Sequence, residues 1–580
     1  MTRSKHGARH PAEDLPPASI SSSDMSWNRT GSWRYLIPRF VRRGSPCQEA
    51  CPAGTDISGS LLMAAEGRYR EALQRILLDN PFPGVCGRVC YHPCEAACNR
   101  IDLDAPVAVQ AIERFVAEAA SGFQPAPSAP PRPERVAVVG SGPSGLTCAY
   151  HLALLGYRVT VFEQAIEPGG MLRLGIPAYR LPRNVLDCEI RRILDLGVEA
   201  RTGCRVGRDV PWDALYEWDA VYLGIGAWRS GRLNVPGEDL PGVMPGLRFL
   251  REVNAGRSVS VGRRMAVIGG GNTALDCARV ALRLGSEPVI LYRRRREEMP
   301  ADEAEVAEAL DEGVSFEWLS SPVAIRASGK SGLTLEAVRH RPGHAGRSGR
   351  PAPIPGSNFI LTVDGVLTAV GEMVEADDLP AGLAAASAGV GIDAWGRTAL
   401  ARTWAGGDVT SDPRMVVHAV GAGKRAALCI HADLNGEDPD ALSNALRIGD
   451  TGAFSMSRYV ERGSQTATRR DVVRWSDLNP DHLQPQPRTP LRPKTAALRA
   501  KDFAEVNPGY SEAEARQEAE RCVHCGLCDR CGNCYWFCPD LCVTLEDGSA
   551  GPRVDERYCK GCGICAQECP RAAVVMEEDS

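Results

Sequence analysis

Between residues 528 and 570 the chain runs through one spacing twice: Cys528-x2-Cys531-x2-Cys534-x3-Cys538-Pro539, then Cys559-x2-Cys562-x2-Cys565-x3-Cys569-Pro570. No other feature leaves so few folds open. Eight thiols at these intervals are either cross-linked or ligands. Disulfides need an oxidising compartment. The N-terminus MTRSKHGARHPAEDLPPASI is charged with no apolar stretch behind it, so it does not read as a secretory signal. In such a chain, cysteines at C-x2-C spacing read as metal or iron–sulfur ligands. Three close thiolates can face one iron–sulfur cube, while the fourth, beyond a turn fixed by proline, points to the other. The expected ligand sets are therefore crossed: Cys528, Cys531, Cys534 and Cys569 for one cube, and Cys559, Cys562, Cys565 and Cys538 for the other. Structural zinc sites do not carry this duplicated run with its prolines.

This is the run of bacterial two-cluster ferredoxins. It predicts an α+β ferredoxin-like domain over 511–580 with two [4Fe–4S] clusters, opened by a short helix in SEAEARQEAERC. Cys522, Cys525 and Cys542 are left over; spare thiols, alternative ligands and an additional site are all open for them. Of the 22 cysteines, six more lie together: Cys47, Cys51, Cys86, Cys90, Cys94 and Cys98. The five scattered ones (Cys148, Cys188, Cys204, Cys277, Cys429) read as small core residues.

Two glycine turns stand between the cysteine groups. RVAVVGSGPSGLTCAYHLALLGYRVTVFEQ, from 135, is a strand, a G-x-G-x-x-G turn (Gly140, Gly142, Gly145), a helix and a second strand ending in Glu163. Glycines there let the backbone approach a pyrophosphate, the helix N-terminus stabilises its charge, and the acid can accept from ribose hydroxyls. RRMAVIGGGNTALDCARVALRLGSEPVILYRRRREEMPADE, from 263, repeats the design with Gly269, Gly271 and Ala274. Its second strand ends without an acid and runs into Arg293–Arg296. Arginines there, Arg294 and Arg295 above all, suit a 2′-phosphate, favouring NADP, with NAD as the alternative. Two dinucleotide folds in one chain suggest hydride traffic between a nicotinamide and a flavin. No nucleophile–base constellation accompanies them, and no catalytic side chain is expected.

At 580 residues and a net charge of −5 the chain should hold several domains. No basic stripe with interleaved aromatics supports nucleic-acid binding, and no long apolar run predicts a membrane span. The expected order is a disordered N-terminus over 1–34, a helical iron–sulfur domain over 35–121 and a Pro-rich linker over 122–134. An FAD-binding domain over 135–250 and 365–440 encloses an NAD(P)-binding domain over 251–364. A connector over 441–510 leads to the tail.

In combination, EPGGMLRLGIPAYRLP, GIGAW, GGGNTALDCAR, YRRRREEMPADE and AGGDVTSDPRMVVHAVGAGKRAA resemble the glutamate synthase small subunit and the related modules of dihydropyrimidine dehydrogenase and bifurcating ferredoxin:NADP oxidoreductases. PCQEACPAG and DNPFPGVCGRVCYHPCEAAC resemble the helical iron–sulfur domain that precedes those modules. The resemblance implies two Rossmann-like α/β folds. FAD would bind the first, with Gly170, Met171 and Leu172 near the flavin and Gly407 and Asp408 closing on it. NADP would bind the second, over Gly269, Gly271, Asn272, Thr273 and Ala274. Two departures stand out. The family's usual C-x2-C pair ahead of Cys47 is missing, so six cysteines face two cubes that need eight ligands. Either one cube forms, or non-cysteine ligands complete a second; Glu113 is a candidate. The glutamate synthase small subunit also generally lacks the cysteine-rich tail. The resulting expectation is a cytoplasmic FAD- and iron–sulfur-dependent NAD(P)H oxidoreductase, a subunit of a hetero-oligomer. It would exchange electrons with ferredoxin or a partner enzyme such as a 2-oxoacid:ferredoxin oxidoreductase. A glutamate synthase small subunit and a non-catalytic redox scaffold are the alternatives.

Overall fold

The computed structural model describes residues 29–579 except 330–331, 344–348, 350, 384–388, 411–412, 461–466 and 546–550. Most of the N-terminal stretch expected to be disordered lies outside the described residues. Among the described residues, no helix is long and apolar enough to cross a membrane.

The runs VAVV and AVYL are buried along their length, as parallel strands covered on both faces should be. Strands Arg135–Val139, Arg158–Phe162, Glu199–Arg201, Ala220–Leu223 and Thr403–Ala405 form one five-stranded parallel sheet. The helix Pro143–Leu154 starts at the first glycine turn, with proline at its first position. It packs against the long helix Val416–Asn435, where Gly423 lets the backbones meet: a side-chain carbon there would run into the Ser144 carbonyl. A second parallel sheet, of Val243–Pro245, Arg264–Ile268, Glu287–Tyr292, Ser315–Trp318 and Gly365–Thr368, is inserted into the first fold. It carries an antiparallel excursion of Ser320–Ser328, Gly332–Arg341 and Phe359–Val363.

The early cysteines sit on or beside short helices, Pro46–Ala50, Pro83–Val89 and Pro93–Ala96, each opened by proline. The helix Ile57–Ala65 is capped by Asp56, which accepts from Gly59 N at 3.2 Å. This helical region docks on the first fold through Glu189, which accepts from Gly84 N at 2.6 Å and Val85 N at 3.0 Å. Behind it, Lys424 of the long helix reaches Asp79 at 2.6 Å in a fully buried ion pair.

Two stretches differ from their sequence pattern. The helical region is led by a strand, Leu36–Gly44. That strand pairs antiparallel with the last strand of the tail, Val574–Glu578, and parallel with Ala467–Val472. The segment read as an irregular connector also carries helices Pro439–Leu446 and Met456–Val460. Neither strand shows a clean alternation, because both are specified by partners hundreds of residues away rather than by an apolar face of their own.

Candidate functional site

A cavity of about 1750 Å³, including its open mouth, lies between the two nucleotide folds. From the first fold it is lined by Gly140, Gly142, Glu163, Gly170, Met171, Leu172 and Asp408. From the second it takes Asn272, Thr273 and Asp276. Gly145 and Gly407 stand behind this lining. A side-chain carbon at Gly145 would strike the Gly140 carbonyl, so this glycine serves helix–strand packing. Of the middle glycines of the two fingerprints, Gly271 faces open space and a side-chain carbon at Gly142 would meet only the Gly224 carbonyl, at 3.9 Å, as suits residues that let a phosphate approach.

Glu163 is buried and held as a fixed acceptor. Its Oε2 accepts from Ser141 N at 2.8 Å and Ser141 Oγ at 2.5 Å, and its Oε1 accepts from Ala165 N at 2.7 Å. Burial pushes the Asp408 carboxyl up to about 6, against the pull of Arg414. On the second fold, Thr273 Oγ1 donates to Glu372 at 3.0 Å. Gly269, Gly271, Ala274, Arg294 and Arg295 are not in the cavity wall. Arg294 is half-buried and Arg295 exposed, on the loop that follows Glu287–Tyr292. Arg180 and Asp276 also stand in this wall, though no sequence motif marks them as a pair. Arg180 Nη1 donates to both oxygens of Asp276, at 3.1 and 2.8 Å, joining the two folds at the cavity. Both residues stand in motifs singled out for other members, so their pairing had no local signal.

The same cavity touches Val89, Cys90 and Tyr91. Cys90 also lines a neighbouring cavity of about 600 Å³, together with Cys51, Cys86, Cys94 and Glu113. Five donors surround this space, one more than a cube requires. Burial pushes the Glu113 carboxyl up to about 8, opposed by the hydrogen bond from Asn80 Nδ2 at 3.0 Å.

In the tail the two cysteine runs fold alike. Each has a left-handed glycine, Gly532 or Gly563, followed by a four-residue helix. One cavity of about 320 Å³ is lined by Cys528, Cys531, Cys534 and Cys569. Another of about 300 Å³ is lined by Cys538, Cys559, Cys562 and Cys565. Each run thus gives its fourth cysteine to the other's cavity. Cys542 stands in the second group, its Sγ 3.5 Å from that of Cys538. The remaining members of the early group, Cys47 and Cys98, line neither of these spaces.

Among the described residues, no three His, Cys, Asp or Glu side chains converge as ligands of a single ion. A cube needs no such point, since each thiolate binds its own iron.

Residues 134–423 match the pyridine nucleotide-disulphide oxidoreductase family. Residues 42–124 match the 4Fe-4S cluster domain II of dihydropyrimidine dehydrogenase, and residues 552–575 a 4Fe-4S binding domain. The chain is 38% identical over 517 residues to the NADP(+)-dependent formate dehydrogenase subunit beta of Moorella thermoacetica, covering 83% of this chain and 70% of that one. It is 35% identical over 532 residues to the NADPH-Fe(3+) oxidoreductase subunit beta of Geobacter sulfurreducens, covering 84% and 76%. It is 34% identical over 424 residues to the glutamate synthase [NADPH] small chain of Halomonas elongata, covering 67% and 88%.

Proposed function

The chain belongs to the pyridine nucleotide-disulphide oxidoreductase family, and from that premise we propose that it moves electrons between NADP(H) and a ferredoxin-type acceptor or a partner redox enzyme. It is an NAD(P)H-dependent oxidoreductase using FAD and NADP, with [4Fe–4S] clusters in its N-terminal and C-terminal regions. When bound, FAD would supply the exchange between a hydride of NADPH and two single electrons plus a proton, the electrons being in the form a cube accepts.

One observation carries the reading: a single cavity reaches the second nucleotide fold at Asn272 and Thr273 and the first cysteine cavity at Cys90. Gly140, Gly142 and Glu163 are the residues we assign to FAD, with Gly170, Met171 and Leu172 beside the flavin. Gly269, Gly271, Asn272, Thr273, Ala274, Arg294 and Arg295 are assigned to NADP. Cys90 then stands where electrons leave the flavin side. The exit is assigned to the tail, where Cys531 and Cys562 are exposed and Trp536, Phe537 and Leu541 form an exposed apolar rim. Two relatives named as beta subunits support a role within a hetero-oligomer.

The test uses the full-length, FAD- and cluster-loaded protein under anaerobic conditions. NADPH should bleach flavin and cluster absorbance together and drive reduction of an added ferredoxin. Flavin bleaching with clusters that stay oxidised in the presence of ferredoxin would overturn the route. Turnover only with a glutamate synthase large subunit would favour that enzyme instead.

A further inference from the structure

Two shortfalls in the cysteine count answer each other in the fold. The helical region lacks a C-x2-C pair ahead of Cys47, and the tail has the pair Cys522-x2-Cys525 to spare. The structure brings that pair against the helical region. It follows the helix Glu512–Ala519, and its approach is clamped by two fully buried side chains, Glu518 and Arg521. Glu518 accepts from Ala108 N at 2.9 Å, and Arg521 donates to Asp104 at 3.0 Å and to the Ala105 carbonyl at 2.7 Å. Arg100, two residues beyond Cys98, donates to the Arg521 carbonyl at 2.6 Å. Asn99 Nδ2 donates to Cys525 Sγ at 3.4 Å, while the backbone of Arg43 donates to Gly526 O at 3.0 Å. His524, between the two thiols, lies 3.2 Å from the Ser58 carbonyl.

Cys47 enters the same space from the helix Pro46–Ala50, its Sγ 3.1 Å from Ser45 Oγ. Gly44, three residues before Cys47, accepts from Val473 N at 3.0 Å, and the Val473 carbonyl accepts at 3.1 Å from the same Asn99 amide that reaches Cys525. These contacts draw the segments of all four thiols together, and none of the four lines the cavities of the other cysteine groups.

We propose that Cys47, Cys98, Cys522 and Cys525 hold a further [4Fe–4S] cluster, built half from the N-terminal region and half from the tail. Binding forms four iron–thiolate bonds and releases four thiol protons to solvent. Reduction adds one electron and breaks no bond.

The placement gives the cluster a role, and that role rests on the proposed electron route. Cys47 and Cys98 are each four residues from a cysteine of the Cys90 cavity, Cys51 and Cys94, and Cys525 is three residues from Cys528. Four residues span at most about 14 Å even when extended. The cluster therefore stands between the flavin-side cysteines and the tail, joining them into one row.

The experiment compares anaerobically loaded, full-length protein with C47S/C98S, C522S/C525S and the quadruple variant, with FAD content as the check on folding. Each double variant should lose four irons and four sulfides per chain, together with the same electron paramagnetic resonance signal. The quadruple variant should lose no more than either double. Unchanged iron in either double variant, a loss of eight irons in the quadruple, or one zinc without sulfide in the wild-type site would overturn the proposal. Should a double variant fail to fold, Cys47→Ser and Cys522→Ser singly should shift one and the same signal; shifts in two different signals would reject the site. If the iron counts hold but NADPH reduces no cluster, the electron route falls and the ligand set stands.

Discussion

Arg180 of the first nucleotide fold grips Asp276 of the second through two hydrogen bonds from one guanidinium nitrogen, at 3.1 and 2.8 Å, in the wall of the cavity they share. Tyr179 adds its hydroxyl to the same carboxylate at 3.3 Å. The pair ties the two folds together at the cavity, and their mutual orientation is the geometry a hydride transfer depends on. Asp276→Asn should keep FAD bound while slowing flavin reduction by NADPH. Hydrogen bonds to a charged group contribute about 1.5–3 kcal/mol, so a slowing of roughly ten-fold or more is expected in stopped-flow absorbance. An unchanged rate would show that the orientation is held elsewhere.

A side-chain carbon at Gly142 would make only an ordinary contact, 3.9 Å from the Gly224 carbonyl, so Gly142→Val should fold and still lose FAD. The valine occupies the approach of the pyrophosphate. Flavin content of the purified variant decides it, and a yellow holoprotein would refute the assignment.

Replacing Arg294 and Arg295 together should weaken NADPH much more than NADH. A charge-assisted phosphate contact is worth about 1.5–3 kcal/mol, which predicts a loss of preference of roughly ten-fold or more. Equal losses for the two nucleotides would assign these arginines to the loop's shape alone.

Cys538 lines the cavity of Cys559, Cys562 and Cys565, not that of its own run. Cys538→Ser should therefore perturb the spectroscopic signal of the second-run cluster. Loss of the signal that depends on Cys528 instead would mean that the ligation is not crossed.

Asp56 offers a pH test remote from the nucleotide sites. Burial pushes its carboxyl up, but Arg42 and Arg75, the latter at 2.5 Å, outweigh that and hold it well below the ordinary range. A depressed folded pKa means the stabilisation is full above the unfolded value of about 3.9 and fades as pH falls below it. Asp56→Asn should lower the melting temperature at neutral pH, and the difference from wild type should shrink on acidification below about pH 4. A difference independent of pH would show that the cap, not the charge, carries the effect.

The sequence by itself determined the units that repeat a fixed spacing within a few residues. The glycine turns at Gly140 and Gly269 are strand–turn–helix units closed by local backbone geometry, and each occurs where its spacing put it. The tail runs are likewise short repeats, each setting three cysteines around a glycine turn. What only the tertiary structure decided is long-range. Leu36–Gly44 finds Val574–Glu578 through backbone hydrogen bonds that carry no side-chain pattern. Arg180 meets Asp276 across a fold insertion. Cys522 and Cys525 are held against the helical region by long-range contacts, among them those of Glu518 and Arg521 with residues 104–108. Spacing rules read a cluster when the chain supplies its corners in sequence; they do not read one whose corners are brought together by packing between opposite ends of the chain.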